Sequence, residues 1–379
     1  MKIKIQLFLL LILFCIPASQ AQIDARMHLN LPELNGYMTL KCDFHMHTVF
    51  SDGLVWPPVR VDEAWREGLD AISITDHIEY LPHKEDVKVN HNRSYELAIG
   101  RARDLGLILI KGTEITRDMP PGHLNAIFIV DVNPLDVKSW KKALQAAKDQ
   151  GGFIFFNHPT FPHPQRIAEW FPEHQQLYEL GLINGIEVVN TATYYPEAHQ
   201  WCIDKELAMI ASSDVHAPTG MDYDIHNGEH RPMTLVFAAE RTQSGILEAL
   251  QQRRSVAYYE DKLVGTKALL EPLFKNSIDI SCKDLKIVGR NRAFIPIRNN
   301  TDIPFKLVLE HKIEELGCPL EIELAANRTT MLSIRPSSNE LSGKKWIRIP
   351  YTVENLLVKP DTGLSTEFKI EIEFFPANE

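Results

Sequence analysis

Past residue 22 the chain has no apolar run near the roughly 20 residues needed to cross a bilayer, so the rest of the sequence offers no transmembrane helix. Cysteine is scarce. The five cysteines among 379 residues (15, 42, 202, 282 and 318) match neither a disulfide framework nor a zinc knuckle, and they read as packing residues. Positive charge is also in deficit. Lys plus Arg number 40 against 50 Asp plus Glu, a formal net charge of −10. No nucleic-acid partner is expected, because phosphate backbones select basic faces. There is no internal repeat and no low-complexity linker, which argues against a solenoid or an array on a flexible tether.

The first 21 residues read as a secretory signal. Lys2 and Lys4 give the positive start, Leu7 to Ile16 the apolar core, and Ser19-Gln20-Ala21 a small-x-small cleavage site after Pro17. Cys15 follows bulky Phe14, which argues against a lipid anchor. The mature chain is expected to begin near Gln22 and to be exported, periplasmic or secreted, with no membrane anchor once the signal is removed.

From about Leu40 to Tyr259 short apolar runs alternate with helical patterns. Leu40 to Phe44, Ala71 to Ile74, Leu107 to Ile110, Phe153 to Phe156, Gly185 to Val189 and Ala208 to Ala211 read as strands. Val59 to Glu67, Tyr95 to Leu105, Leu135 to Asp149, Glu169 to Leu180 and Glu197 to Glu206 read as helices. Alternation of this kind implies parallel βαβ units, and roughly seven of them favour an α/β barrel over an open sheet. After about Glu271 the helices stop. Short β candidates separated by turn signals such as Asn299-Asn300 and Asp361-Thr362-Gly363 predict a small β-sandwich, Ig-like, over 272–379, with the barrel over 22–271.

Histidines and carboxylates gather at the strand ends. His45 and His47 follow the first strand, and on extended backbone i and i+2 point the same way. Asp52 lies in the turn after them, His77 past the second strand, and Glu114 past the third. His123 opens the next extended segment, His158 follows Asn157, and Asp214 and His216 form a second i, i+2 pair. In an α/β barrel the C-terminal strand ends share one face, so residues spread along the chain can converge there. Imidazole and carboxylate ligands suit zinc, manganese or iron, and the set is too large for one ion. Arg117 and Arg231 are candidate phosphate ligands, since guanidinium binds phosphoryl oxygens bidentately. Tyr194 and Tyr195 read as packing aromatics, and His83, His91, His163, His226 and His230 as solvated loop histidines.

Asp43-Phe44-His45-Met46-His47 with Ser51-Asp52-Gly53, Thr75-Asp76-His77, Gly112-Thr113-Glu114, Gly122-His123, Asn157-His158-Pro159 and Ser213-Asp214-Val215-His216 together resemble the PHP (polymerase and histidinol phosphatase) family over roughly residues 40 to 260. The resemblance implies a distorted (βα)7 TIM-like barrel holding two or three divalent ions. It implies one site from His45, His47, Glu114 and Asp214, a second from Glu114, His123 and His158, and a third from Asp52, His77 and His216. Some members carry His where Asp52 stands. Glu114, Asp214 and His216 are the expected catalytic residues. The implied activity is phosphoester hydrolysis by a hydroxide shared between ions, on a small phosphorylated substrate. The secreted barrel-plus-sandwich layout resembles a phosphodiesterase-like branch, which favours diesters over monoesters. An amidohydrolase-like C–N or C–O hydrolase and a non-catalytic metal-dependent binding protein remain open at this point, as does the oligomeric state.

Overall fold

The computed structural model describes residues 26–377 apart from 35, 89 and 283–284. The expected signal, 1–21, lies outside the described residues. The first part of the chain runs β1 Met38–Asp43, α1 Pro57–Arg66, β2 Ala71–Ile74, α2 Arg93–Leu105, β3 Ile108–Ile115, β4 Leu124–Ile127, α3 Trp140–Asp149 and β5 Phe153–Phe156. It continues through α4 Pro172–Glu179, β6 Gly185–Asn190, β7 Thr193–Tyr194, α5 Pro196–Lys205, β8 Ala208–Ser212, α6 Thr219–Asp222, β9 Met233–Ala238, α7 Gln243–Gln251, β10 Ser255–Tyr259, β11 Lys262–Val264 and α8 Lys267–Ser277.

Local chemistry explains the helix ends. Pro57 and Pro58 preset the first turn of α1, where a missing N–H costs nothing. Ser139 caps α3 by accepting from Lys142 N–H, and left-handed Gly106 closes α2. The strands β2, β5, β8 and β10 are buried at every position, as expected of a sheet covered on both faces.

The ladder order is β10-β9-β1-β2-β3-β4-β5-β6-β8. Strands β1, β2 and β3 are mutually parallel, as are β5, β6 and β8. Strand β4 is antiparallel to β3 and β5, and β9 is antiparallel to β1 and β10. Alternation alone predicts parallel pairing throughout; these two strands depart from it. No helix lies between β3 and β4, and without a crossover the chain must fold straight back. On β9, Thr234 Oγ1 both accepts from Ala211 N–H and donates to Ala211 C=O, which ties β9 to β8 through a side chain.

The remainder is β only: β12 Ile278–Ile280, β13 Leu285–Val288, β14 Ala293–Asn299, β15 Phe305–Leu309, β16 Leu316–Gly317, β17 Glu321–Leu324, β18 Thr329–Pro336, β19 Gly343–Lys359 and β20 Thr362–Phe375. One sheet is β12-β14-β18-β16, and β13, β20, β19, β15 and β17 form the other. Parallel pairing of β11 with β19 at Leu263↔Leu356 carries the first part's sheet into the second. Helix α8 continues into β12 without a linker, and its Phe274 meets Phe305 edge-on at 5.1 Å. The two parts therefore share one continuous apolar core.

Candidate metal centre

Two extended segments meet at the strand ends. His47 N–H donates to Val215 C=O, and Asp214 N–H donates to His45 C=O, so the i, i+2 pairs His45/His47 and Asp214/His216 lie side by side. Met46 between them points into the core at 0% exposure. His77, just past β2, pairs in the same way with Glu114 near the end of β3. His158 and Asp214 have φ of 21° and 53°, a region that non-glycine residues adopt uncommonly. Gly53 is required by space, because a Cβ there would lie 2.5 Å from the carbonyl carbon of His47.

Glu114, fully buried, stands at the centre. Its Oε2 is 3.4 Å from both His45 Nε2 and His47 Nε2 and 2.8 Å from His77 Nδ1. Its Oε1 is 2.8 Å from His123 Nδ1 and 3.5 Å from His158 Nε2, and accepts from Asn157 Nδ2 at 2.9 Å. Asp214 Oδ1 is 3.2 Å from His45 Nε2 and 3.0 Å from His47 Nε2. On the outer side Asp52 faces His77 at 3.5 Å and His216 at 3.3 Å. All the histidines and carboxylates expected from sequence to be ligands therefore come together. Groups with ligand atoms close enough for one ion include His45, His47 and Glu114; His77, Glu114 and His123; and His47, Asp52, His77 and His216. Side-chain exposure rises from 0% at Glu114 to 22% at Asp52 and 39% at His216, which marks the open side.

These residues fit cations. Asp52 Oδ1 and Asp214 Oδ1 are buried without a hydrogen-bond donor, although buried carboxylate oxygens are normally satisfied. His45 Nε2 and His47 Nε2 point at each other across 3.1 Å, a spacing that needs a shared proton or an ion between lone pairs. Burial opposes a charge on His45, but Asp214, Glu187 and Glu114 raise its pKa well above the ordinary histidine value. Burial lowers His47 to about 4. Burial is likewise overcome at His77, where Glu114 and then Asp52 raise the pKa to about 10. Glu114 and Asp214 are held ionised despite burial, chiefly by His77 and His45 for the first and His45 for the second. The carboxylates thus favour positive charge at His45 and His77, where cations fit.

Residues not singled out from sequence hold this arrangement. Glu187 Oε1 accepts from His45 Nδ1 at 2.8 Å, and its Oε2 accepts from His158 N–H at 2.7 Å and Asn190 Nδ2 at 3.0 Å. A carboxylate on Nδ1 fixes the ring and turns the Nε2 lone pair inward. The available signal was one charge inside the apolar strand Gly185-Ile186-Glu187-Val188-Val189. Asp76 accepts from Thr48 N–H, Thr48 Oγ1 and Ser51 Oγ, which folds the Asp52 turn over the cluster. Buried Arg60 donates to the carbonyls of His47, Val215, His216 and Ala217. Glu187→Gln is expected to keep the fold while weakening metal binding or turnover about 10- to 100-fold. Metal titration followed by calorimetry tests this, and wild-type affinity in the variant would remove Glu187 from the site.

The two candidate phosphate-binding arginines stand elsewhere. Arg231 is fully buried and donates to both Glu67 oxygens, to Asp43 Oδ2 and to Thr219 Oγ1, leaving no face for a substrate. Arg117 is held by Glu79 at 2.7 Å and by the Val137 carbonyl at 2.8 Å. The Arg231 assignment is corrected to a structural ion pair, and Arg117 stands paired with Glu79. Tyr195 is buried, and Tyr194 Oη bonds His199 Nδ1, as packing aromatics. His163, expected in solvent, is 8% exposed and stacks on Phe171.

A family model described as an Ig-like domain (DUF5001) matches residues 278–369. Across both parts the chain is similar to a solved structure from Bacteroides vulgatus, a two-domain protein containing a predicted PHP-like metal-dependent phosphoesterase. The identity is 47%, 91% of this chain and 99% of that chain are covered, and the TM-score is 0.87. An uncharacterized protein of Methanocaldococcus jannaschii is 30% identical over 169 residues, 45% of this chain, and the chain spans 62% of that relative's length.

Proposed function

The chain belongs to the family of two-domain proteins with a PHP-like metal-dependent phosphoesterase domain, and from that premise we propose that it hydrolyses phosphoester bonds of small organic phosphates, diesters in preference to monoesters. The observation that carries the reading is the convergence of imidazoles and carboxylates on two buried carboxylate oxygens that lack donors. We assign His45, His47, Glu114 and Asp214 to one ion, Glu114, His123 and His158 to a second, and Asp52, His77 and His216 to a third. Zinc, manganese and iron all suit these ligands. When bound, such ions lower the pKa of water toward neutrality and neutralise charge on a phosphoryl group.

The chain's own residues do the rest. Glu187 orients His45, and Asn157 holds the Glu114 carboxylate. We read the strand ring, tied at Thr234, as a distorted (βα)7-type barrel, and the protein as exported on the strength of residues 1–21. An amidohydrolase-like reading is disfavoured, because the joining group is Glu114 and no lysine contacts the cluster among the described residues. With manganese or zinc added, bis-(p-nitrophenyl) phosphate is expected to turn over faster than the monoester, and chelation to abolish both activities. Equal or faster monoester turnover would remove the diester preference.

A further inference from the structure

With Arg117 and Arg231 both engaged in ion pairs, the phosphoryl group lacks its expected guanidinium partner. A third arginine stands at the rim. The loop after β5 carries Phe161, whose ring meets His123 edge-on at 5.4 Å and His158 at 5.6 Å. Above that ring sits Arg166, with its Cζ 4.6 Å from the centroid. Arg166 is exposed, and its guanidinium makes no hydrogen bond or ion pair among the described residues.

The loop is organised to present it. Arg166 is left-handed at φ 55° and donates its N–H to His163 C=O at 3.0 Å. Gln165 N–H donates to His163 Nδ1 at 3.1 Å, and the His163 ring is pinned between Phe171 at 5.8 Å and the Glu169 carboxylate at 3.6 Å. A guanidinium stacked face-on against an aromatic ring is held flat, while the N–H donors on its edge stay free. Those edge donors match two oxygens of a phosphoryl group. An exposed guanidinium at this place also attracts an anionic substrate.

We propose that Arg166, steadied on Phe161, binds the non-bridging oxygens of the substrate phosphoryl group beside His123 and His158. The proposal rests on the phosphoesterase reading above. The test uses metal-loaded wild type, Arg166→Ala and Arg166→Lys, with three readouts: turnover of bis-(p-nitrophenyl) phosphate, calorimetric binding of inorganic phosphate, and metal content. Arg166→Ala is expected to weaken phosphate binding and raise KM about 10- to 100-fold at unchanged metal content, the worth of a charged hydrogen-bond pair. Added guanidinium should recover part of the loss, and Arg166→Lys should fall between the two. Phosphate binding and KM within twofold of wild type in Arg166→Ala overturn the proposal, as does a loss that follows metal content and is not rescued by guanidinium. A wild type that binds phosphate through Arg166 yet hydrolyses no phosphoester would sink the functional reading and leave this one standing.

Discussion

Glu114→Gln is expected to reduce kcat/KM on any phosphoester at least about a thousandfold, because a metal ligand contributes several kcal/mol of transition-state stabilisation. Glutamine keeps the shape, so packing around this buried position should survive. What it removes is the charge that His45, His47 and His77 share through one oxygen and that His123 and His158 share through the other. The same charge, together with Asp214, favours the protonated form of His45 and His158, and with Asp52 that of His77, when ions are absent. In the metal-free protein the pKa of His77 is raised to about 10, and His45, His158 and His216 are also raised. Ions must therefore displace protons at neutral pH, so wild-type metal affinity should fall as pH is lowered. In Glu114→Gln at least one equivalent of metal should be missing at every pH. Metal content by plasma emission, measured beside turnover, decides the matter. A variant with a full metal complement and turnover within tenfold of wild type would show that Glu114 is not a ligand.

The separation between legible and hidden features follows sequence distance and chemistry. Most of the ligands were readable because they follow a short apolar strand, and because four of them form two i, i+2 pairs whose common direction is set by backbone alone; Glu114 lies inside β3 and His123 just before β4. Glu187 was not, since its role depends on β6 lying beside β5, where its carboxylate reaches His45 and the His158 amide. Arg231 was misassigned for a related reason. Its proximity to the site was suggested by its place before β9, but its partners are 164 and 188 residues away in sequence, and nothing local marks them. The same applies to Arg60, whose four carbonyl partners become neighbours only when the His47 and His216 segments meet. The antiparallel course of β4 was hidden in a missing helix rather than in any residue, and the union of β11 with β19 in a pairing across the two parts. Arg166 lies in an irregular loop where spacing carries no directional information.

Arg231→Ala is expected to lower stability by about 3–5 kcal/mol, the usual cost of removing one partner from a buried ion pair. Its guanidinium and the carboxylates of Asp43 and Glu67 are almost wholly shielded from water, so the variant strands two negative charges. The damage is placed where it matters. Asp43 also accepts from Ser213 N–H and Ser213 Oγ, which joins the end of β1 to the residue before Asp214. Lysine should not restore stability, because a single ammonium cannot grip both Glu67 oxygens while reaching Asp43 and Thr219. The double variant Arg231→Met with Glu67→Met should lose less than Arg231→Ala, since it removes one uncompensated carboxylate and fills the space with apolar volume. Urea unfolding of the metal-free proteins supplies the energies, and kinetics well below the unfolding transition supply the contrast. For a structural arginine, KM of the folded Arg231→Ala enzyme stays within about threefold of wild type while the urea midpoint drops. A raised KM at an unchanged midpoint would mean that Arg231 meets the substrate after all, and the burial observed here would then describe a closed form that opens before phosphate binds.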